Sequence, residues 1–191
     1  MDSARILIAL SSDQSNIKMK AILVEAGFLV IDQAADGQDC LRKIRSCIPD
    51  LAILDLNLAL MNGYEIAKVA LEDDICDIVI ISSIEHEGML GSLKKYNNFV
   101  SLTKPVNKAV LSNTLELMIK SRKRIKELEK EINDLKFTLD TRKEVEKAKG
   151  LLMKHLGLPE NDAFKRIQKQ SMDRGIPMKE IAKAIILTYD I

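Results

Sequence analysis

Pro49-Asp50-Leu51-Ala52-Ile53-Leu54-Asp55 runs four apolar residues in a row and ends them on a carboxylate, and this short stretch decides the fold. Such a run, bounded by polar residues, reads as a strand buried on both faces. Working outward, similar runs precede it at Arg5-Ile6-Leu7-Ile8-Ala9-Leu10 and Phe28-Leu29-Val30-Ile31. Two more follow, at Ile78-Val79-Ile80-Ile81 and Phe99-Val100-Ser101-Leu102. Between them lie amphipathic segments, expected as helices near 14–26, 36–47, 63–72 and 86–96, with Gly27 at a helix end. Strands alternating with helices predict an α/β domain over residues 1–119, with a five-stranded parallel sheet.

From Val106 onward the strand signal stops. Residues 111–156 contain no Pro and read as one very long helix. Apolar residues recur along it as Leu111, Leu115 and Met118, then Ile125, Leu128, Ile132, Leu135 and Leu139, mostly at alternating steps of three and four. The step from Ile125 to Leu128 breaks heptad register. The stripe predicts a homodimeric coiled coil over 111–140, with Leu115 to Leu139 as its seam; the alternative is that part of it packs back on the chain's own first domain. Gly157-Leu158-Pro159 and Gly175-Ile176-Pro177 then mark two helix ends. They divide residues 136–191 into a small all-α three-helix bundle, with helices near 141–156, 160–174 and 178–189. Expected apolar faces are Val145, Ala148, Leu151 and Leu152; Ala163, Phe164, Ile167 and Met172; Ile181, Ala184, Ile185 and Ile186.

The chain has 191 residues, 47% of them hydrophobic and 30% charged, which excludes disordered, fibrous and disulfide-framework classes. Its net charge of +1 hides a division. Residues 1–119 hold 11 Lys+Arg against 16 Asp+Glu, whereas residues 120–191 hold 18 against 12, so the basic half is the candidate for a polyanionic partner. Cys40, Cys47 and Cys76 show no C-x-x-C spacing, and the two histidines are His86 and His155, so zinc sites and Cys/His nucleophile chemistry are not expected. No signal-peptide pattern opens the sequence and no uncharged stretch is long enough to span a bilayer; a cytoplasmic location without membrane contact is expected.

Asp55 at a strand end, Met61-Asn62-Gly63 after it, Ser82 after the fourth strand and Lys104-Pro105 after the fifth together resemble the receiver domain of two-component response regulators. The resemblance implies a flavodoxin-like fold in which Asp55, Ser82 and Lys104 converge at the carboxyl ends of the strands. It also implies a sensor kinase as partner and a divalent cation that neutralises charge as a phosphoryl group reaches the Asp. Two consecutive acidic residues hold that cation in the family; here those positions are Leu10 and Ser11. Ala59 stands where a Pro is usual and Ser101 where an aromatic switch residue is usual. A degenerate receiver is therefore expected, binding Mg²⁺ poorly and used for dimerisation or protein binding; the alternatives are phosphorylation of Asp55 with the same output, or a scaffold held by a sequestering protein. No cofactor and no enzymatic activity are expected.

Val145-Glu146-Lys147-Ala148-Lys149-Gly150-Leu151-Leu152-Met153, followed by Asp162-Ala163-Phe164 and Ile181-Ala182-Lys183-Ala184-Ile185, closely resembles the ANTAR domain of bacterial antitermination regulators. The resemblance implies a dimer whose helical tips bind paired RNA hairpins in a leader transcript. With no Trp and few aromatics, contacts are expected from Lys147, Lys149, Lys154, Arg166, Lys169 and Arg174 to phosphate, with Ala148 and Gly150 as a close surface. Gly150 could equally serve a tight contact inside the bundle.

Overall fold

The computed structural model describes residues 4–189. They separate into two compact units, Met1–Arg124 and Ile125–Ile191. In the first, β1 (Arg5–Ala9), β2 (Leu29–Gln33), β3 (Leu51–Asp55), β4 (Asp77–Ser82) and β5 (Phe99–Thr103) form one parallel sheet in the order β2-β1-β3-β4-β5. The central strands β3 and β4 are buried along their whole length, which is why they read as unbroken apolar runs. Side chains alternate between faces. Leu7, Ala52, Leu54, Ile78 and Ile80 fill one side, and Ile6, Ile8, Ile53, Val79 and Ile81 the other.

Helices α1 (Asp13–Glu25), α2 (Gly37–Cys47) and α3 (Gly63–Glu72) start where Ser12, Asp36 and Asn62 accept hydrogen bonds from the backbone N–H groups of Ser15, Asp39 and Glu65. The helix expected near 86–96 is instead a 3₁₀ helix, Ile84–Lys95. Gly88 and Gly91 each weaken an α-helix there by about 1 kcal/mol. The buried Leu90 and Leu93 stand three apart and continue to the half-buried Tyr96, the spacing that a three-residue turn stacks on one side.

Helix α4 (Lys108–Leu156) is a single element of 49 residues. Its first turns correct the expected dimer seam: Leu115 and Met118, with Leu111, are buried against Ile6, Leu23 and Val79 of the first unit's own core. Leu115 and Met118 are therefore not available to a partner. Arg122 fixes the end of this segment, 2.6 Å from Asp77 at the start of β4 and 3.7 Å from Asp74. Burial alone would lower the Arg122 pKa, but the two carboxylates outweigh it and hold the group firmly protonated.

In the second unit, α4 is joined by α5 (Glu160–Arg174) and α6 (Met178–Tyr189). Gly157 and Gly175 close α4 and α5 in the left-handed conformation, at φ 65° and 64°. The core is Val145, Ala148, Leu152, Ala163, Ile167, Ile181, Ala182 and Ile185. Four expected positions fall outside it: Met172 and Ala184 are exposed, Phe164 is 40% exposed and Leu151 is partly buried away from the core, while Ile186 packs against the core partly buried. Ala182 lies inward and Ala184 does not, because the buried face of α6 is centred among Ile181, Ala182, Ile185 and Ile186, and at 3.6 residues per turn Ala184 falls roughly 130° round the helix from its middle. Among the described residues no helix is long and apolar enough to cross a membrane.

Candidate functional site

Two sites emerge, one in each unit. The first lies at the carboxyl ends of the parallel strands, where the order β2-β1-β3 reverses direction and leaves a crevice. Asp55 ends β3 and is 2% exposed. Lys104, just after β5, donates from Nζ to Asp55 Oδ2 at 2.6 Å, and Ser11, after β1, donates its hydroxyl to the same oxygen at 2.9 Å. The Asn57 amide donates to Oδ1 at 3.2 Å. Ser82 ends β4, buried, and its carbonyl accepts from the Lys104 amide at 2.8 Å, so the three family-matched residues Asp55, Ser82 and Lys104 do come together.

The motif Met61-Asn62-Gly63 serves this crevice. A Cβ at position 63 would collide with the Asp55 carbonyl oxygen, so α3 can start this close to the strand end only with glycine there. Asn62 and Glu65 cap the helix reciprocally. On the opposite side Leu10 is buried in the core, its amide donating to the buried Asn16 Oδ1 at 2.9 Å. Asp55, the carboxylate placed here, is already bonded on both oxygens. Among the described residues no three His, Cys, Asp or Glu side chains assemble into a cation site. Mg²⁺ takes carboxylate oxygens and gives up its waters reluctantly, so this donor set does not fit it.

The second site lies on α4 beyond Thr141. Val145, Ala148 and Leu152 face the bundle core. At 3.6 residues per turn the opposite face carries Lys143, Lys147, Gly150 and Lys154, all exposed. Nothing lies within 4 Å of a Cβ built on Gly150, which removes the internal-packing explanation for that glycine. Ala148 is fully buried and cannot form a contact surface, which corrects that expectation.

Lys149 is also placed differently from expectation. Its side chain is 12% exposed and its ammonium sits 2.7 Å from both Glu146 and Glu160, tying the start of α5 to α4. The two carboxylates raise the Lys149 pKa, and Lys149 in turn holds the Glu160 carboxyl below its usual value. Arg166, Lys169 and Arg174 are exposed on α5. Lys143 was not among the expected contacts; its signal was the seven-residue step to Gly150.

The response regulator receiver domain matches residues 6–116 and the ANTAR domain matches residues 133–186. The chain belongs to the response regulators. It is 32% identical over 184 residues to the transcriptional regulatory protein PdtaR of Mycobacterium tuberculosis (strain ATCC 25618 / H37Rv), covering 96% of this chain and 90% of that protein. A second relative, the protein-glutamate methylesterase/protein-glutamine glutaminase of Archaeoglobus fulgidus, is 30% identical over 90 residues, 47% of this chain and 26% of that protein, and the likeness is confined to the receiver. Among solved structures the receiver domain of NarL from Mycobacterium tuberculosis superposes with TM-score 0.57 at 19% identity, covering 63% of this chain and 98% of that one. This response regulator therefore couples a receiver fold to an ANTAR output domain, which makes it a transcriptional regulator.

Proposed function

We propose that this response regulator is an RNA-binding transcription antitermination factor of the cytoplasm that acts as a homodimer on paired hairpins of leader transcripts. Its receiver is not phosphorylated in the usual Mg²⁺-dependent way. The observation that carries the RNA reading is Gly150. A glycine inside a helix costs about 1 kcal/mol against Ala, and among the described residues nothing lies within 4 Å of a Cβ built on this one. The face it opens is flanked by Lys147 and Lys154, which suits the close approach of a phosphate backbone.

Dimerisation is supported by Ile125, Leu128, Ile132, Leu135 and Leu139, which remain 39–58% exposed along α4 at steps of three and four. A stripe of large apolar residues on a long helix is stable only when covered. Two tips on one stalk would raise the effective concentration for a second hairpin. A gel shift comparing leader RNA with the matching duplex DNA tests the reading. RNA carrying two hairpins should bind far more tightly than either single hairpin; equal binding of the DNA, or of one isolated hairpin, overturns it.

The convergence of Asp55, Ser82 and Lys104 favours one second reading, in which a sensor kinase phosphorylates Asp55 and the RNA output is unchanged. The engaged oxygens of Asp55 weigh against it, and favour input through a partner that binds the receiver surface or sequesters the dimer.

A further inference from the structure

Both phenylalanines of the ANTAR domain, Phe137 and Phe164, are partly solvent-exposed, at 56% and 40%. They line one cavity of about 440 Å3, together with Thr141, Arg142, Glu146 and Met178. The Lys179 ammonium lies 4.9 Å from the centre of the Phe137 ring and 3.8 Å from Asp140. The Thr138 and Thr141 hydroxyls donate to the carbonyls of Asp134 and Phe137, at 2.9 and 2.8 Å. The charged ends of Arg142 and Glu146 also border the cavity, Glu146 being paired at 2.7 Å with Lys149 through one carboxylate oxygen.

We infer that this cavity receives one unpaired nucleobase of the bound RNA, its faces against the phenyl rings and its edge toward Arg142 and Glu146. The inference rests on the RNA reading above and deepens it. Bases of single-stranded loops are held by stacking on aromatic rings beside cationic side chains, and this cavity combines the two. The surrounding domain, residues 133–186, carries 12 Lys+Arg against 8 Asp+Glu, which complements a polyanion. A second copy of the chain is the poorer occupant. Phe137 stands two residues from both Leu135 and Leu139, hence about 160° round the helix from them, so a coiled coil through those leucines leaves the ring facing away.

The test uses the full-length chain and hairpins that share one stem and a fully randomised loop. The hairpin that wild type enriches most is resynthesised with fluorescent 2-aminopurine at each loop position in turn. One position should change its fluorescence on binding. Phe137→Ala and Phe164→Leu should each weaken that hairpin about 5- to 100-fold and abolish the fluorescence change, while Phe164→Tyr, which keeps the ring, should retain both. Dimer mass should stay at the wild-type value and the melting temperature should fall by less than about 10 °C, since each ring is only about half covered. Unchanged affinity in Phe137→Ala and Phe164→Leu overturns the base site while leaving the RNA reading intact. Variants that run as monomers overturn it too, assigning the cavity to contacts between copies. A wild-type chain that enriches no hairpin overturns the RNA reading itself, and the base site with it.

Discussion

Gly150→Ala is the most informative single change, because stability and function should move in opposite directions. The glycine lies inside α4 with nothing within 4 Å of the added methyl group, so no clash offsets the helix-propensity gain. That gain is about 0.5–1 kcal/mol. For a unit the size of residues 125–191 it raises the melting temperature by roughly 2–8 °C, to be read from thermal unfolding of the full chain without RNA. The same methyl group stands where a phosphate backbone is proposed to approach between Lys147 and Lys154, so affinity for a paired-hairpin RNA should fall at least about tenfold, or 1.4 kcal/mol. Gly150 also follows Ile132 by 18 residues, five full turns, and so lies on the same line of the helix as the apolar stripe. Sedimentation of the variant therefore belongs with the titration. Greater stability with unchanged RNA affinity would refute the close-approach argument, and dissociation to monomers would assign the glycine to a crossing of two α4 helices instead.

Incubation with acetyl phosphate and Mg²⁺, or with a beryllofluoride mimic, should leave Asp55 unmodified by intact mass; a stoichiometric adduct there would refute the degenerate-pocket reading. Leu115→Ala should lower receiver stability by about 2–5 kcal/mol, measured by urea unfolding, and leave a dimer, because Leu115 is fully buried in the receiver core. Ile132→Asp should do the reverse, giving monomers with a receiver of normal stability. The tether between Lys149 and Glu160 sets an acid limit. Because Lys149 depresses the folded-state pKa of Glu160 below 4.5, its contribution is present above about that pH and fades as the pH falls through the lowered value. Acid titration followed by circular dichroism should therefore show a helical loss below pH 4.5 that Lys149→Met reduces.

The sheet was legible because burial on both faces makes the interiors of β3 and β4 unbroken apolar runs, with polar residues only at their ends; the helices were legible from their amphipathic pattern, while their exact starts are set by the capping side chains of Ser12, Asp36 and Asn62, which that pattern does not use. Other features depend on what lies across space. Leu115 and Ile132 have the same side-chain character on one helix, and only the position of the sheet turns the first inward and leaves the second open. Lys149 looked like a phosphate contact because its partner Glu160 lies eleven residues away, beyond the turn at Gly157. Ala148 and Gly150 are both small, yet one fills the bundle core and the other opens a surface, a difference set by where α5 and α6 pack. Phe164 reads as core by hydrophobicity, and its half-exposure is visible only once α4 and α5 are seen to leave a cavity beside it. The 3₁₀ helix was signalled by two glycines and by Leu90, Leu93 and Tyr96 at steps of three, a pattern that a helical expectation near 86–96 absorbs.

Charge arithmetic accounts for the receiver pocket. Three carboxylates and one ammonium at the ends of parallel strands sum to −2, a balance that a divalent cation neutralises. With Leu10 and Ser11 in place of the two acids, what remains is Asp55 and Lys104, which sum to zero at 2.6 Å. The Ser11 hydroxyl donates to the same oxygen, and it does so without adding charge. Removing Lys104 alone would leave a carboxylate 2% exposed with its main counter-charge gone, which is costly in a medium of low polarity. Retention of Asp55 and Lys104 therefore follows from the need to keep a buried charge paired, whether or not a phosphoryl group ever reaches the site. On the reading proposed above, a pocket balanced in this way offers a divalent cation no net charge to neutralise, so control would enter through something that binds the receiver surface or through the dimer equilibrium of α4.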